Sequence, residues 1–372
     1  MSRHERFYSD PCRYLDVVRP DTPVLFFSAS KLENQHQFFN NHFPGLVSFA
    51  VKAQPGREVI ETLVSGGMHT FDVASPVEMA LVRSVDPQAV LHYNNPIRSQ
   101  AEITEALRHG VASYAVDRIG ELEKLLARLT APVEIAVRLK LPTKGGKIDF
   151  GSKFGADEAT TVALVKRVSQ TNHKISMCFH PGTQCLDAQA WRIYIKACAT
   201  LARQAGVTLA RLNVGGGFPS QRTHDAVDLR GFFAVIEAEV VNSFGDHPPA
   251  LLCEPGRAMV AEAFCLAARV KAVCSNQIFL NDGIYGGLSE MRDIGISTRI
   301  RLHASNPAKK TKPYIIFGPT CDSLDVLPDP ITLPVNVKEG DYILFEAMGA
   351  YSTAIATRFN GYGEIKQINL SA

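Results

Sequence analysis

Between about residues 45 and 257, eight short β-rich runs alternate with segments of helical periodicity, and that alternation leaves few folds open. The runs are VSFAVK, HTFDVAS, VLHYNN, ASYAVD, VEIAVRL, ISMCFH, ARLNVGGG and ALLCEPGR. The segments between them, such as SPVEMALVRSV and DRIGELEKLLARL, place apolar residues at i, i+3, i+4 and i+7, the stripe of an amphipathic helix. Ser75 before PVEM has the marks of an N-cap, with Pro76 at the first helical position and Glu78 at the third. Eight strands alternating with helices predict an α/β protein built on a (β/α)8 TIM-type barrel. A doubly wound sheet is the alternative, but it usually has fewer strands.

After about residue 260 the texture changes to strand after strand with little helix: CLAARVKAVC, QIFLND, TRIRLHAS, KPYIIFG, ITLPVNV, DYILFEA and EIKQINL. Turn signals such as NDG, LPDP and KEGD separate them, which predicts a second, all-β domain of sandwich or barrel type. The expected division is a barrel over residues 26–260 and a β domain from residues 1–25 with 261–372. The early strand TPVLFFSA is assigned to that β domain.

A chain of 372 residues with 46% hydrophobic composition can bury such a core. The formal charge of +2 and the scatter of basic residues argue against nucleic acid or a membrane surface as partner, leaving small molecules and proteins. The eight cysteines (12, 178, 185, 198, 253, 265, 274 and 321) form no CxxC pair, so neither a metal site nor a redox dithiol is expected. They read as reduced thiols in a reducing compartment. The first residues, MSRHERFYSDPCRYLDVV, lack the apolar core of a signal peptide, and no run nears the roughly 18 apolar residues of a membrane span, so a cytoplasmic location is expected.

In a (β/α)8 barrel the C-terminal strand ends converge on one mouth, where chemistry is done. Polar residues fall there on strand after strand: Lys52, Asp72 with Ser75, Asn94 with Asn95, Arg138, His180, Gly215 to Gly217, and Glu254 with Arg257. A lone lysine or histidine at a strand end is more often solvated than catalytic. The conjunction outweighs that bland reading, because independent strand ends would rarely all be polar without a shared ligand. The turn VGGGFPS offers backbone N–H groups with no side chains in the way, suited to a phosphate, and Arg257 could close the same site. A lysine facing a phosphate-anchored ligand suggests pyridoxal 5′-phosphate, whose aldehyde condenses with a lysine amine. Glu254 would then partner the pyridine nitrogen, and His180 could stack on the ring.

The ordered set FAVKAQP, FDVASPVE, CFHPG, NVGGGFP, EPGR, NDGIYG, GPTCDSLD and MGAY resembles the fold-type III pyridoxal-phosphate-dependent decarboxylases, within them the ornithine/lysine decarboxylase group. The resemblance covers about residues 22–368. It implies that Lys52 is the cofactor-bearing lysine, His180 the ring-stacking histidine and Glu254 the pyridinium partner. It places Thr183, Gly215, Gly216, Gly217, Gly256, Arg257 and Tyr351 around the phosphate, with Asp72 and Arg138 as polar neighbours of the cofactor. It also implies a homodimer with shared active sites, in which Cys321 and Asp322 act from the neighbouring subunit. Cys321 would return a proton to the α-carbon, and Asp322 would take the distal ammonium of a basic amino acid, helped by Asp293 and Tyr285. Lys153 and Asp325 match an ion pair across that interface.

Three departures from the pattern stand out. Pro181 and Thr183 occupy positions where the family usually has Val and Ser, and Asn213 occupies that of an Asp, which removes a charge expected near His180. In GGLSEMRDIG, Asp293 lies near the position of the family's second distal-amine aspartate, with Glu290 as a competitor.

The expected reaction is decarboxylation of ornithine, lysine or both to the diamine and CO2. Alternatives are a related diamino acid or polyamine precursor (diaminopimelate, arginine, a carboxylated polyamine or a specialised-metabolite intermediate) or a non-catalytic homologue of the antizyme-inhibitor kind. Glu254 speaks against an alanine racemase, which has an arginine at the ring nitrogen. CDS where diaminopimelate decarboxylases typically read CES favours a simple distal ammonium. One methylene separates ornithine from lysine, worth only about 1–3 kcal/mol in a pocket, so the sequence leaves that choice open.

Overall fold

The computed structural model describes residues 8–142, 146–147 and 152–371. They divide into two units. One comprises Gln35–Pro219 and Asp228–Met259; the other takes in the chain up to Asn34, Ser220–Val227, and the chain from Val260 onward.

The first unit is a parallel barrel. Its strands are Leu46–Val47 with Phe49–Ala50, then Thr70–Val73, Val90–Tyr93, Ser113–Val116, Glu134–Arg138, Lys174–Cys178, Arg211–Asn213 and Ala250–Cys253. Each pairs in parallel with its neighbours in chain order. The first strand is broken at Ser48: Phe49–Ala50 pairs with the second strand, while Leu46–Val47 pairs with the eighth. Ser48 N–H donates to Cys253 O at 2.9 Å across the break. The nine segments are therefore eight barrel strands, and the two halves of strand one close the sheet on itself.

The helices between strands begin where the sequence signals them. Ser75 Oγ accepts from Glu78 N–H at 3.3 Å, and the Glu78 carboxylate reaches back to Ala74 N–H at 2.7 Å, one residue further than a standard capping box. Ser99 and Glu102 form the full box on Gln100–Arg108. On the outside, fully buried Trp191 stacks on Phe218 at 5.0 Å, and Phe233 joins them, fixing the helices Gln189–Ala205 and Leu229–Phe244.

The second unit is mainly β rather than all β. Its central sheet runs in the order Ile300–His303, Tyr342–Glu346, Phe264–Cys274, Gln277–Leu280, Thr311–Phe317, Ile331–Pro334. The N-terminal strand Val24–Phe27 pairs antiparallel with Phe264–Ala267 and parallel with Lys366–Asn369. The unit also holds the helices Pro11–Val18 and Ser289–Ile294. The first of these starts at Asp10, whose side chain accepts from Cys12 N–H, with Pro11 at the first helical position. Among the described residues no helix is long and apolar enough to cross a membrane.

Candidate active site

At the barrel's C-terminal mouth, Lys52, Asn94, Arg138, Cys178, His180 and Glu254 line a cavity of about 160 Å³. Lys52 sits in the short 3₁₀ turn Val51–Ala53 that follows strand one. Its flanking residues Val51 and Ala53 are fully buried, which points the lysine stem to the mouth. Lys52 Nζ donates to Asp72 Oδ2 at 3.3 Å, and Asn94 Nδ2 donates to the other Asp72 oxygen at 3.1 Å.

Glu254 is buried at the end of strand eight. Its Oε1 accepts from Asn213 Nδ2 at 2.6 Å and also from Asn94 Nδ2. Burial first, and then repulsion from Asp72, push its carboxyl up to about 8, against the pull of Lys52 and Asn213. Asn94 thus ties the lysine's carboxylate partner to the buried glutamate. The Asn213 side chain bridges Glu254 and Gly215, whose N–H donates to Asn213 Oδ1 at 2.8 Å. An uncharged residue at 213 therefore acts on Glu254, to which its side chain donates.

His180 is held neutral, its pKa driven well below the ordinary value by burial, then by Arg138 and Lys52. Gly182 N–H donates to His180 Nδ1 at 3.1 Å, so the neutral ring carries its proton on Nε2. The ring lies against the glycine turn: a Cβ on Gly216 would stand 3.4 Å from His180 Nε2, and one on Gly217 3.3 Å from Cε1. The turn also needs glycine for close backbone approach. A Cβ at 215, 216 or 217 would meet Phe179 O at 2.2 Å, Glu254 O at 2.5 Å and Gly182 O at 2.2 Å respectively. Because Gly215 N–H is spent on Asn213, Gly216 and Gly217 are the remaining backbone donors of the turn. Arg257 Nη2 donates to Thr183 Oγ1 at 3.4 Å, which brings those two predicted phosphate residues together. Gly256 packs its Cα against the lysine turn, where a Cβ would lie 2.9 Å from Ala53 Cβ. Phe154 and Cys178 also line the cavity, and sequence reasoning missed both. A strand register running on from Arg138 pairs it with Cys178 and could have signalled the latter.

The remaining predicted residues, Lys153 apart, belong to the β unit. Cys321 and Asp322 line a separate cavity of about 320 Å³ with Lys271, Phe279 and Phe317. Tyr285 O–H donates to Asp322 Oδ2 at 2.5 Å, and Leu324 N–H donates to Oδ1 at 2.9 Å. These two bonds, the backbone one first, hold the Asp322 carboxyl below its usual range. Asp293 is paired with its neighbour Arg292 at 2.9 Å, on the same short helix as Glu290. Tyr351 takes a left-handed backbone, φ 61°. Asp325, predicted to face a partner subunit, is instead enclosed in its own unit: it accepts from Ile284 N–H at 3.0 Å, Thr320 N–H at 3.0 Å and Thr320 Oγ1 at 2.7 Å. Lys153 stands 5.0 Å from the Phe154 ring. The sequence reasoning passed over Asp282, which accepts from Gly283 and Gly287 N–H and anchors the loop that carries Tyr285. Burial pushes its carboxyl up to about 7.

A barrel mouth that brings together a lysine amine, a carboxylate at its side, a buried acid and a glycine turn fits an enzyme of the kind that carries a phosphorylated carbonyl cofactor. Residues 29–261 match the pyridoxal-dependent decarboxylase family's pyridoxal binding domain, and the chain belongs to that family. It is therefore a carboxy-lyase whose cofactor is pyridoxal 5′-phosphate. A lysine/ornithine decarboxylase of Selenomonas ruminantium is 32% identical over 357 residues, covering 92% of this chain and 88% of that one. The lysine/ornithine decarboxylase of Vibrio vulnificus, solved with putrescine, superposes with a TM-score of 0.83 at 28% identity, over 96% of both chains. SrLDC solved with pyridoxal phosphate and cadaverine gives 0.84 at 28% identity, over 99% of this chain and 95% of that one. The residues of the mouth fit the cofactor: an amine, a buried acid, and a glycine cradle that any Cβ would fill.

Proposed function

We propose that this enzyme decarboxylates ornithine, lysine or both to the diamine and CO2. The observation that carries this reading is Asp322, an anion kept ionised by two hydrogen bonds beside the Cys321 thiol, which suits a distal ammonium and not a second carboxylate. The diamines bound by the similar proteins of known structure support it.

In this reading the barrel domain, residues 26–260, holds the cofactor, and the β domain, residues 1–25 with 261–372, supplies the groups for the substrate. Lys52 would hold the cofactor's carbonyl carbon, with Asp72 beside it to accept from the amine. Glu254 would face the pyridine nitrogen, His180 the ring, and Arg138 the cofactor's polar edge. Thr183, Gly216, Gly217, Gly256, Arg257 and Tyr351 would bind the phosphate, with Gly215 shaping the turn through its bond to Asn213. When bound, the cofactor supplies the electron sink for the pair left at the α-carbon as CO2 departs. Cys321 Sγ gives its proton to that carbon, while Asp322, with Tyr285 and Asp293 near it, holds the distal ammonium. The working form is a homodimer in which Cys321 and Asp322 serve the partner's cofactor, and eight unpaired cysteines fit a reducing cytoplasm.

The test is CO2 release from L-ornithine, L-lysine, L-arginine and meso-diaminopimelate by the purified holoenzyme. Release from ornithine or lysine well above the other two is the expected result. Release confined to arginine or diaminopimelate would refute the substrate reading, and a protein that takes up no pyridoxal phosphate would restore the non-catalytic alternative.

A further inference from the structure

Barrel interiors are normally filled by bulky branched side chains. This one is not. Alternation along the strands puts Ser48, Asp72, His92, Ser113, Ala115, Glu134, Ala136, Ser176, Cys178 and Arg211 on one face, and cross-strand register joins them. Small and polar side chains recur on this face, in place of a continuous apolar filling. Ala115, Ala136 and Cys178 form the only apolar cluster among them.

Three polar atoms in this layer, His92 Nε2, Ser176 Oγ and Arg211 Nη1, are buried and have no hydrogen-bond partner among the described residues. Their proximity follows from the bonds around them. His92 Nδ1 and Ser113 Oγ are 2.7 Å apart, and Ser113 is in register with Glu134. Glu134 pairs with Arg211 Nε at 3.5 Å, and Arg211 is in register with Ser176. The charge of Arg211 in turn reaches His92, where with burial it holds the imidazole pKa down to about 4. On its other side His92 is in register with Asp72, the carboxylate bonded to Lys52. Three unmet polar atoms supply the two to four polar partners that an internal water needs.

We propose that the barrel interior binds ordered water held by His92 Nε2, Ser176 Oγ and Arg211 Nη1, forming a hydrated floor between the Asp72 layer of the active site and the Arg211–Glu134 pair. Water there completes the bonding of His92 and fixes its ring, which in turn supports Asp72 from below.

A crystal structure of the holoenzyme, at a resolution that shows ordered solvent, tests this. The expected map has a solvent peak within hydrogen-bond distance of His92 Nε2 and of at least one of Ser176 Oγ and Arg211 Nη1. A map with no peak there, in which the His92 ring bonds directly to Ser176 or Arg211, would overturn the proposal. Ser176→Val fills the same space with methyl groups. It is expected to lose the peak and to keep the absorbance of bound pyridoxal phosphate. A peak retained in that variant with unchanged partners would also overturn the assignment, and if the variant does not fold the wild-type map decides alone. Neither readout depends on which amino acid is the substrate.

Discussion

Gly217→Ala isolates the contribution of the glycine turn to cofactor binding. Gly217 has φ +84°, and a Cβ added there would lie 2.2 Å from Gly182 O. Ordinary carbon–oxygen contact would require the 180–183 loop and the glycine turn to separate by about 1 Å. A left-handed alanine adds roughly 1 kcal/mol of backbone strain. Gly206→Ala, at φ +70° with nothing within 4 Å, bears only that backbone strain and serves as the control. A displacement of about 1 Å in a site that must aim N–H groups is worth up to about 100-fold. In Gly217→Ala the affinity for pyridoxal phosphate is accordingly expected to fall by about 10- to 100-fold, or about 1.4–2.7 kcal/mol. Absorbance titration of cofactor-free protein reads this directly. Gly206→Ala should bind as the wild type does while losing some stability. Equal affinity in Gly217→Ala and wild type, or an equal loss in Gly206→Ala, would refute the assignment of the turn as a cofactor cradle.

Other substitutions test the remaining parts. Glu254 is pushed from its ordinary 4.5 up to about 8, so between those values the folded cofactor-free chain binds a proton that the unfolded chain has released. Stability should therefore fall as pH rises through that window, by at most about 1.4 kcal/mol per pH unit for one group. Glu254→Gln should flatten the fall in thermal unfolding across pH, leaving the share due to Asp282; an unchanged slope would contradict the burial argument. Ser75→Ala removes the N-cap of Pro76–Val85 and should cost about 1 kcal/mol in chemical denaturation without changing cofactor absorbance. Cys321→Ala should keep the absorbance of bound cofactor before substrate is added but lose diamine formation, any turnover giving instead the aldehyde, with the amino nitrogen retained on the cofactor as pyridoxamine 5′-phosphate. Diamine made at the wild-type rate would show that another group returns the proton.

The strands were legible because each is a short apolar run punctuated by turn residues, and Lys52, Asp72, His180 and Glu254 because strand ends in a barrel share one mouth. What the sequence hid is cross-chain pairing. Asn213 and Glu254 are 41 residues apart, and Asn94 and Glu254 160, so only the closure of strand eight onto strand one makes Glu254 a shared acceptor. That the Asn213 side chain donates to Glu254 had no local signal, because it depends on side-chain direction across adjacent strands. The break at Ser48 was equally hidden, because the run VSFAVK shows unbroken strand propensity. Segment Ser220–Val227 belongs to the β unit through Arg299, whose Nη1 donates to Gln221 O at 3.0 Å, a contact with no local signal. Asp325 showed the opposite failure: an acidic motif position was assigned to an interface, whereas burial and three local donors commit it to its own unit.

Lys52 is the amine assigned to hold the cofactor. Borohydride reduction of the holoenzyme, followed by digestion and mass spectrometry, locates that amine. The pyridoxyl mass is expected on the peptide containing Lys52, with no such adduct in Lys52→Ala. An adduct on another lysine of the wild-type protein, or none at all, would contradict it.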